Sequence, residues 1–234
     1  MSIILPWRPT HKSRVSNFEY IQYYLGRIFT KAEIIVADDT DTEFFNRGRA
    51  LNVGVAQSIR SFLLFADVDI LIRPDVLIEA YRKLCACAEQ DHHKVSYVIP
   101  FTSLTFLKED ASKRIKAGFT PFHQWPDSDV DMYWTARSTG ACNFVRRSVF
   151  DFVQGFEPRC HSWGFEDAIW DICCRTMVGS PEWLEGAGIH LWHPPARSPE
   201  CRAQKNSLAL CQRYESVSGD TEALLKIISE RGVG

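Results

Sequence analysis

Short apolar runs that stop at proline or aspartate, alternating with stretches of helical spacing, constrain this chain more than any other feature. Ser2–Leu5 stops at Pro6, Glu33–Ala37 is closed by Asp38-Asp39-Thr40-Asp41, Ser61–Ala66 ends at Asp67-Val68-Asp69, and Val95–Ile99 follows. Between them, Phe18–Phe29 and Asn46–Ser58 carry helical spacing, with Ala50, Leu51, Val53 and Val55 as the packed side of the latter. Pro74 opens a third helix through Gln90, since proline fits the first helical turn. Strand and helix in alternation predict an α/β fold, with a mostly parallel central sheet flanked by helices. The second half is less regular. Lys108–Lys116, Arg147–Val153, Glu166–Arg175, Ser198–Ser216 and Thr221–Arg231 read as helices, and Ala141–Val145 and Gly188–Trp192 as strands. Thr120–Asp131 and Gly155–Phe165 read as loops.

At 234 residues the chain can bury a sizeable core as one large domain or two small ones. Its 27 Lys+Arg against 29 Asp+Glu leave a net charge of −2, which argues against a nonspecific nucleic-acid binder. No apolar run approaches the roughly 18 residues of a membrane span. Met1–Pro6 is interrupted by Trp7-Arg8-Pro9 with no small-residue cleavage site after it, so it reads as a buried strand rather than a signal peptide. The eight cysteines lack a repeated CxxC pattern, which argues against structural zinc and for buried, reduced thiols of a cytosolic protein.

Asp67-Val68-Asp69 is the strongest local signal. Ligands of open α/β sheets bind beyond the carboxyl ends of the strands. Two carboxylates there repel unless a cation intervenes, and on an ideal strand Asp67 and Asp69 would share a face. Hard divalent metals such as Mg²⁺ or Mn²⁺ accept such ligands and keep positions for phosphates. A solvated acidic turn is the competing reading. Trp163-Gly164-Phe165-Glu166-Asp167 delivers adjacent carboxylates to a helix start, where the dipole favours their ionised form. One could hold an acceptor hydroxyl while the other removes its proton. An ordinary acidic first turn explains the same residues. His190-Leu191-Trp192-His193-Pro194-Pro195 offers imidazoles, which tilt an oxygen site toward Mn²⁺. Period-two geometry puts His190 and His193 on opposite faces if the strand continues, so one metal ligand is expected, the alternative being hydrogen-bonded core histidines. Arg47 and Arg49, near a helix start, could pair with phosphates or be solvated. Asp38-Asp39 could meet a base or ribose or serve as a turn.

Taken in order, these pieces resemble the GT-A glycosyltransferases, and among them the β-1,4-galactosyltransferase and chondroitin-polymerase-like groups. The matching elements are Pro6 with Arg8, Asp38-Asp39, Phe45-Asn46-Arg47 with Leu51-Asn52-Val53-Gly54, Asp67-Val68-Asp69, Ser138-Thr139-Gly140, Trp163-Gly164-Phe165-Glu166-Asp167 and His193. They cover residues 1–195, with a nucleotide-binding half over about 1–100 and an acceptor half over 101–195. Residues 196–234 are left as a C-terminal helical extension. The resemblance implies a GT-A, Rossmann-like sheet and a metal-dependent, inverting transfer of a sugar from a nucleotide-diphosphate donor, typically a UDP-sugar, to a hydroxyl acceptor. It places Pro6, Arg8, Asp38 and Asp39 around the base and Asp67 toward the ribose. Arg47, Asn52, Val68, Gly140 and Trp163 fall in the donor site. Asp69 and His193 become metal ligands, with His190 as substitute. Asp167 becomes the general base and Glu166 a sugar-binding partner. The chain departs from the pattern at Phe165, where the galactosyltransferases have a second glycine, so donor identity does not carry over. It also departs in lacking a membrane anchor, which implies a free cytoplasmic enzyme.

Two other classes compete. A metal-dependent nucleotidyltransferase would carry a Gly- or Lys-rich triphosphate loop, and Ile3–Thr10 has no glycine. A noncatalytic sugar-nucleotide-binding protein would not need the full set of carboxylates. The basic stretches Lys113-Arg114-Ile115-Lys116 and Arg197, Arg202, Lys205 and Arg213 read as solvated helix faces, in preference to a track for a nucleic-acid or other polyanionic acceptor.

Overall fold

The apolar runs form strands, the central ones buried on both faces. In the computed structural model, which describes residues 1–39, 45–89, 95–160, 164–194 and 201–232, β1 (Ser2–Pro6), β2 (Glu33–Ala37) and β3 (Phe62–Ala66) fall on the expected segments. Ile3, Ile4, Leu5, Leu63, Leu64 and Phe65 are completely buried. α1 (Lys12–Ile28) starts earlier than its apolar spacing predicts, because His11 caps it by accepting the Ser13 N–H. α2 (Arg47–Gln57) is capped by Asn46, which accepts the Arg49 N–H. After β4 (Ile70–Leu71) come α3 (Pro74–Glu89), β5 (Tyr97–Ile99), β6 (Ser103–Leu107), α4 (Glu109–Lys116), β7 (Val130–Trp134) and β8 (Cys142–Arg146). The chain ends with α5 (Arg147–Phe152), α6 (Glu166–Met177), β9 (Glu182–Trp183), β10 (Ala187–His190), α7 (Cys201–Glu215) and α8 (Thr221–Ser229).

The main sheet has six strands in the order β2-β1-β3-β8-β5-β9. β1 runs parallel to β2 and β3, and β5 parallel to β9, while β8 is antiparallel to both of its neighbours. Phe29 and Tyr81 cover Phe62 and Phe144 on one face. Phe150, Phe156 and Trp170 close on Phe65 from the other. Gly54 of α2 lies against β1 so closely that a Cβ would come 2.4 Å from the Ile4 side chain, so the helix seats directly on the sheet.

A second sheet, in the order β4-β10-β6-β7, is absent from the sequence expectations. β4 is only two residues long, and β7 replaces the end of the expected loop Thr120–Asp131 with four exposed residues after Val130. Neither presents the apolar run that marks a buried strand.

The C-terminal helices grip the turn after α5. The completely buried Glu157 carboxylate accepts from Tyr214 Oη at 2.6 Å, Arg159 Nε at 2.8 Å and Arg231 Nε at 3.3 Å. Arg231 Nη1 also donates to the Gln154 and Gly155 carbonyls, each at 2.9 Å. From the opposite side, Asn52 brackets Phe156 by donating to its carbonyl and accepting from its N–H, both at 2.9 Å. Cys142, Cys160, Cys173, Cys174 and Cys211 are buried free thiols. Of the basic stretches, Lys113 meets Glu109, Arg114 meets Asp129, and Arg213 meets Glu230. The side chains of Arg197 and Arg202 lie outside the described residues. Among the described residues, no helix is long and apolar enough to cross a membrane.

Candidate active site

The site forms at the carboxyl ends of β1, β2 and β3. β3 stops where the Asp67 N–H donates to the Ala141 carbonyl at 2.7 Å, and the chain turns at once into β4. The two aspartates therefore sit on a turn, not on a strand, and do not share a face as expected. Asp67 Oδ1 accepts from Arg47 Nε at 2.7 Å, and Arg47 Nη1 reaches Glu166 Oε1 at 3.3 Å. Arg47 thus bridges the inner members of the two acidic pairs. The contact spans 119 residues of chain between Arg47 and Glu166 and leaves no trace in local sequence. Burial, and then the neighbouring Asp167 charge, push the Glu166 carboxyl up to about 7. Burial likewise raises Asp67, against the pull of Arg47.

Asp69 faces a different neighbourhood. His193 Nε2 lies 3.2 Å from its Oδ2 and His190 Nε2 lies 4.0 Å from its Oδ1. One ligand atom from each of the three falls within 4.8 Å of the others. The opposite-face expectation for the histidines is not met, because β10 ends at His190 and the chain leaves strand geometry before His193. Phe106 stacks on the His190 ring at 4.3 Å, and the Pro194 carbonyl engages His193 Nδ1 at 2.9 Å, which orients Nε2 toward Asp69. Burial alone would raise the Asp69 carboxyl, but His190, His193 and Arg14 hold it well below the usual range. A carboxylate with two imidazoles is a donor set for a first-row divalent metal that leaves positions for other ligands. Arg14, which sequence reasoning did not single out, comes within 3.9 Å of Asp69 Oδ2. Its only sequence signal is a basic residue in the first turn of a helix, where acids are favoured.

Asp167 opens α6 beside Glu166. Its Oδ1 accepts the Ala168 N–H at 2.8 Å, and no ion pair engages it among the described residues. Its Oδ2 lies where a Cβ on Gly140 would come within 2.3 Å, so only glycine at 140 leaves the carboxylate its place. Glu166 is 6% exposed.

The remaining sequence-predicted residues divide clearly. Arg8 Nε donates to Asp38 Oδ1 at 3.0 Å beside the buried Pro6. Asp39 is buried and accepts the Asn46 N–H at 3.1 Å. Pro6, Arg8, Asp38 and Asp39 therefore gather at the ends of β1 and β2. Val68 is 1% exposed, so its side chain belongs to the core. The Asn52 amide is consumed by Phe156, as described above, and braces α2 rather than offering a free hydrogen bond. The Arg47 guanidinium is paired with the Asp67 and Glu166 carboxylates. Trp163 lies outside the described residues.

No family model matches the chain. It is similar to β-1,4-galactosyltransferase 5 of Homo sapiens, with 23% identity over 154 residues, and to that of Danio rerio, with 25% over 147. These alignments cover 60% and 57% of this chain but only 38% and 37% of the relatives' own lengths. Among solved structures, the catalytic domain of Drosophila β1,4-galactosyltransferase 7 in complex with xylobiose superposes with a TM-score of 0.58 at 18% identity, covering 88% of this chain and 77% of that one. A mutant of the same protein, in complex with manganese, UDP-Gal and xylobiose, gives 0.57 at 16% identity, with the same coverage. GalNAc-T7 with UDP, GalNAc and Mn²⁺ gives 0.52 at 11%, covering 99% and 54%. The chain therefore has the GT-A glycosyltransferase fold and is similar in sequence to β-1,4-galactosyltransferases.

Proposed function

We propose that this protein is a metal-dependent, inverting glycosyltransferase that moves a sugar from a nucleotide-diphosphate donor, most simply a UDP-sugar, to a hydroxyl acceptor. The observation that carries the reading is the division of the carboxylates. Asp69 stands in a two-histidine cluster, Asp167 has no ion pair among the described residues, and Arg47 ties the other two together. The complex of a structural neighbour with manganese and UDP-Gal agrees with it. In this reading residues 1–195 are the catalytic domain and 196–234 its helical extension.

Asp69, His190 and His193 would hold Mn²⁺ or Mg²⁺, which as a Lewis acid stabilises the departing diphosphate. Pro6, Arg8, Asp38 and Asp39 shape the base end. Asp167 takes the proton of the acceptor hydroxyl. The hydroxyl oxygen bonds to the anomeric carbon as the bond from that carbon to the donor phosphate oxygen breaks, and the electron pair leaves with the nucleoside diphosphate. One such displacement inverts the anomeric centre. The Glu166 carboxyl, raised by burial to about 7, can in its protonated form donate a hydrogen bond to a sugar hydroxyl.

The acceptor side is supported by strand register. His190 pairs with Phe106 and Phe106 with Met132, while Gly188 pairs with Leu104 and Leu104 with Trp134. These residues share one face of the second sheet, so an apolar row runs from the histidines to the exposed edge, where Met132 and Trp134 are each 43% exposed. Aromatic and apolar faces of this kind suit a glycan. Replacement of Asp167 by Asn tests the reading. Transfer should disappear while UDP binding and the fold persist, and retained wild-type transfer would remove the base assignment.

A further inference from the structure

Arg14 lies in the first turn of α1, a turn that contains no acidic residue. A cation there opposes the helix dipole, so the position needs a compensating anion. In the structure that anion is Asp69, 3.9 Å away, which is a charge contact but too long for a hydrogen bond. The guanidinium donors remain unused among the described residues, and the side chain is about one-quarter exposed, at 24%. Arg14 therefore reaches the three-residue cluster while keeping its hydrogen-bonding capacity in hand.

A divalent cation at Asp69, His190 and His193 would take over the neutralisation of Asp69 and repel Arg14. The same cation would draw in an anion, and a planar guanidinium fork fits phosphate oxygens. We propose that Arg14 is a phosphate ligand of the nucleotide-diphosphate donor, serving as the counter-charge of Asp69 until a divalent cation replaces it. The proposal rests on the donor reading given above and adds a binding residue to it.

The two roles predict changes of opposite sign. With the full chain, Mn²⁺ affinity is measured without nucleotide, and the affinities for UDP and uridine are measured under saturating Mn²⁺, by calorimetry. Arg14→Met should bind Mn²⁺ several-fold more tightly, because a competing cation is gone. It should bind UDP about tenfold or more weakly, as expected for loss of a charge-assisted hydrogen bond, and uridine as the wild type does. Arg14→Lys, which keeps the charge but not the fork, should fall between. Weakening of Mn²⁺ and UDP together would make Arg14 a structural brace and overturn the proposal. UDP affinity equal to wild type in Arg14→Met would overturn it alone. Wild-type protein that binds Mn²⁺ but no nucleoside diphosphate would overturn the donor reading and this proposal with it.

Discussion

Asp67 and Glu166 share Arg47, whereas Asp69 and Asp167 do not. Each acidic pair is thus split by the fold into an inner carboxylate, paired with Arg47, and an outer one left to other partners. The inner two join α2, the turn after β3 and α6 into one frame. The outer two face a histidine cluster and the N-terminal turn of α6. Neighbouring residues of one chemical type therefore meet different partners across space.

Removing an outer carboxylate should affect reaction most and stability least. Asp167→Asn should lower sugar transfer by about 10²–10⁴-fold, the usual contribution of a positioned base, with an unchanged denaturation midpoint. Asp69→Asn should abolish the Mn²⁺ dependence of nucleotide binding, read by calorimetry with and without chelator. Removing the inner bridge should show the reverse emphasis. Arg47→Met removes the shared partner of the buried Glu166 and the partly exposed Asp67 and should cost about 1–3 kcal/mol in urea denaturation. A stable Arg47→Met protein would dissolve the distinction between frame and chemistry.

Gly140→Ala sharpens the comparison further. Its methyl would fall 2.3 Å from Asp167 Oδ2, so the proposed base must move, and transfer should drop by about 10²-fold, as misplacement of a reacting group does. The smallest effect concerns pH. The Glu166 carboxyl is raised from its ordinary value of 4.5 to about 7 in the fold. The folded state therefore holds a proton that the unfolded state gives up between pH 4.5 and 7. The stabilising contribution is complete below pH 4.5 and is lost as pH rises through about 7. Glu166→Gln should flatten that decline, measured as denaturation midpoints across pH in metal- and nucleotide-free protein. A decline of equal slope in the variant would assign it elsewhere.

The sequence was most legible where a short apolar run is bounded by turn-forming residues. The run Glu33–Ala37 forms β2 without change of boundary, and β3 differs from its expected run by one residue. The second sheet was hidden because its strands are short or exposed: β4 has two residues, and β7 shows only Val130 to the core. The site residues were legible as motifs, but their partners were not. The Arg47–Glu166 contact and the approach of Arg14 to Asp69 are properties of packing across distant elements. Val68 and Asn52 sit inside the motifs yet serve the core and a turn, since a motif marks a stretch of backbone and not the direction of each side chain.

The central claim is tested most directly by incubating the protein with a panel of nucleotide sugars and measuring released nucleoside diphosphate with Mn²⁺ or with chelator. The account predicts slow release from a UDP-linked donor that stops on chelation and in Asp69→Asn. Release that persists under chelation, or no release from any donor in the panel, would contradict it.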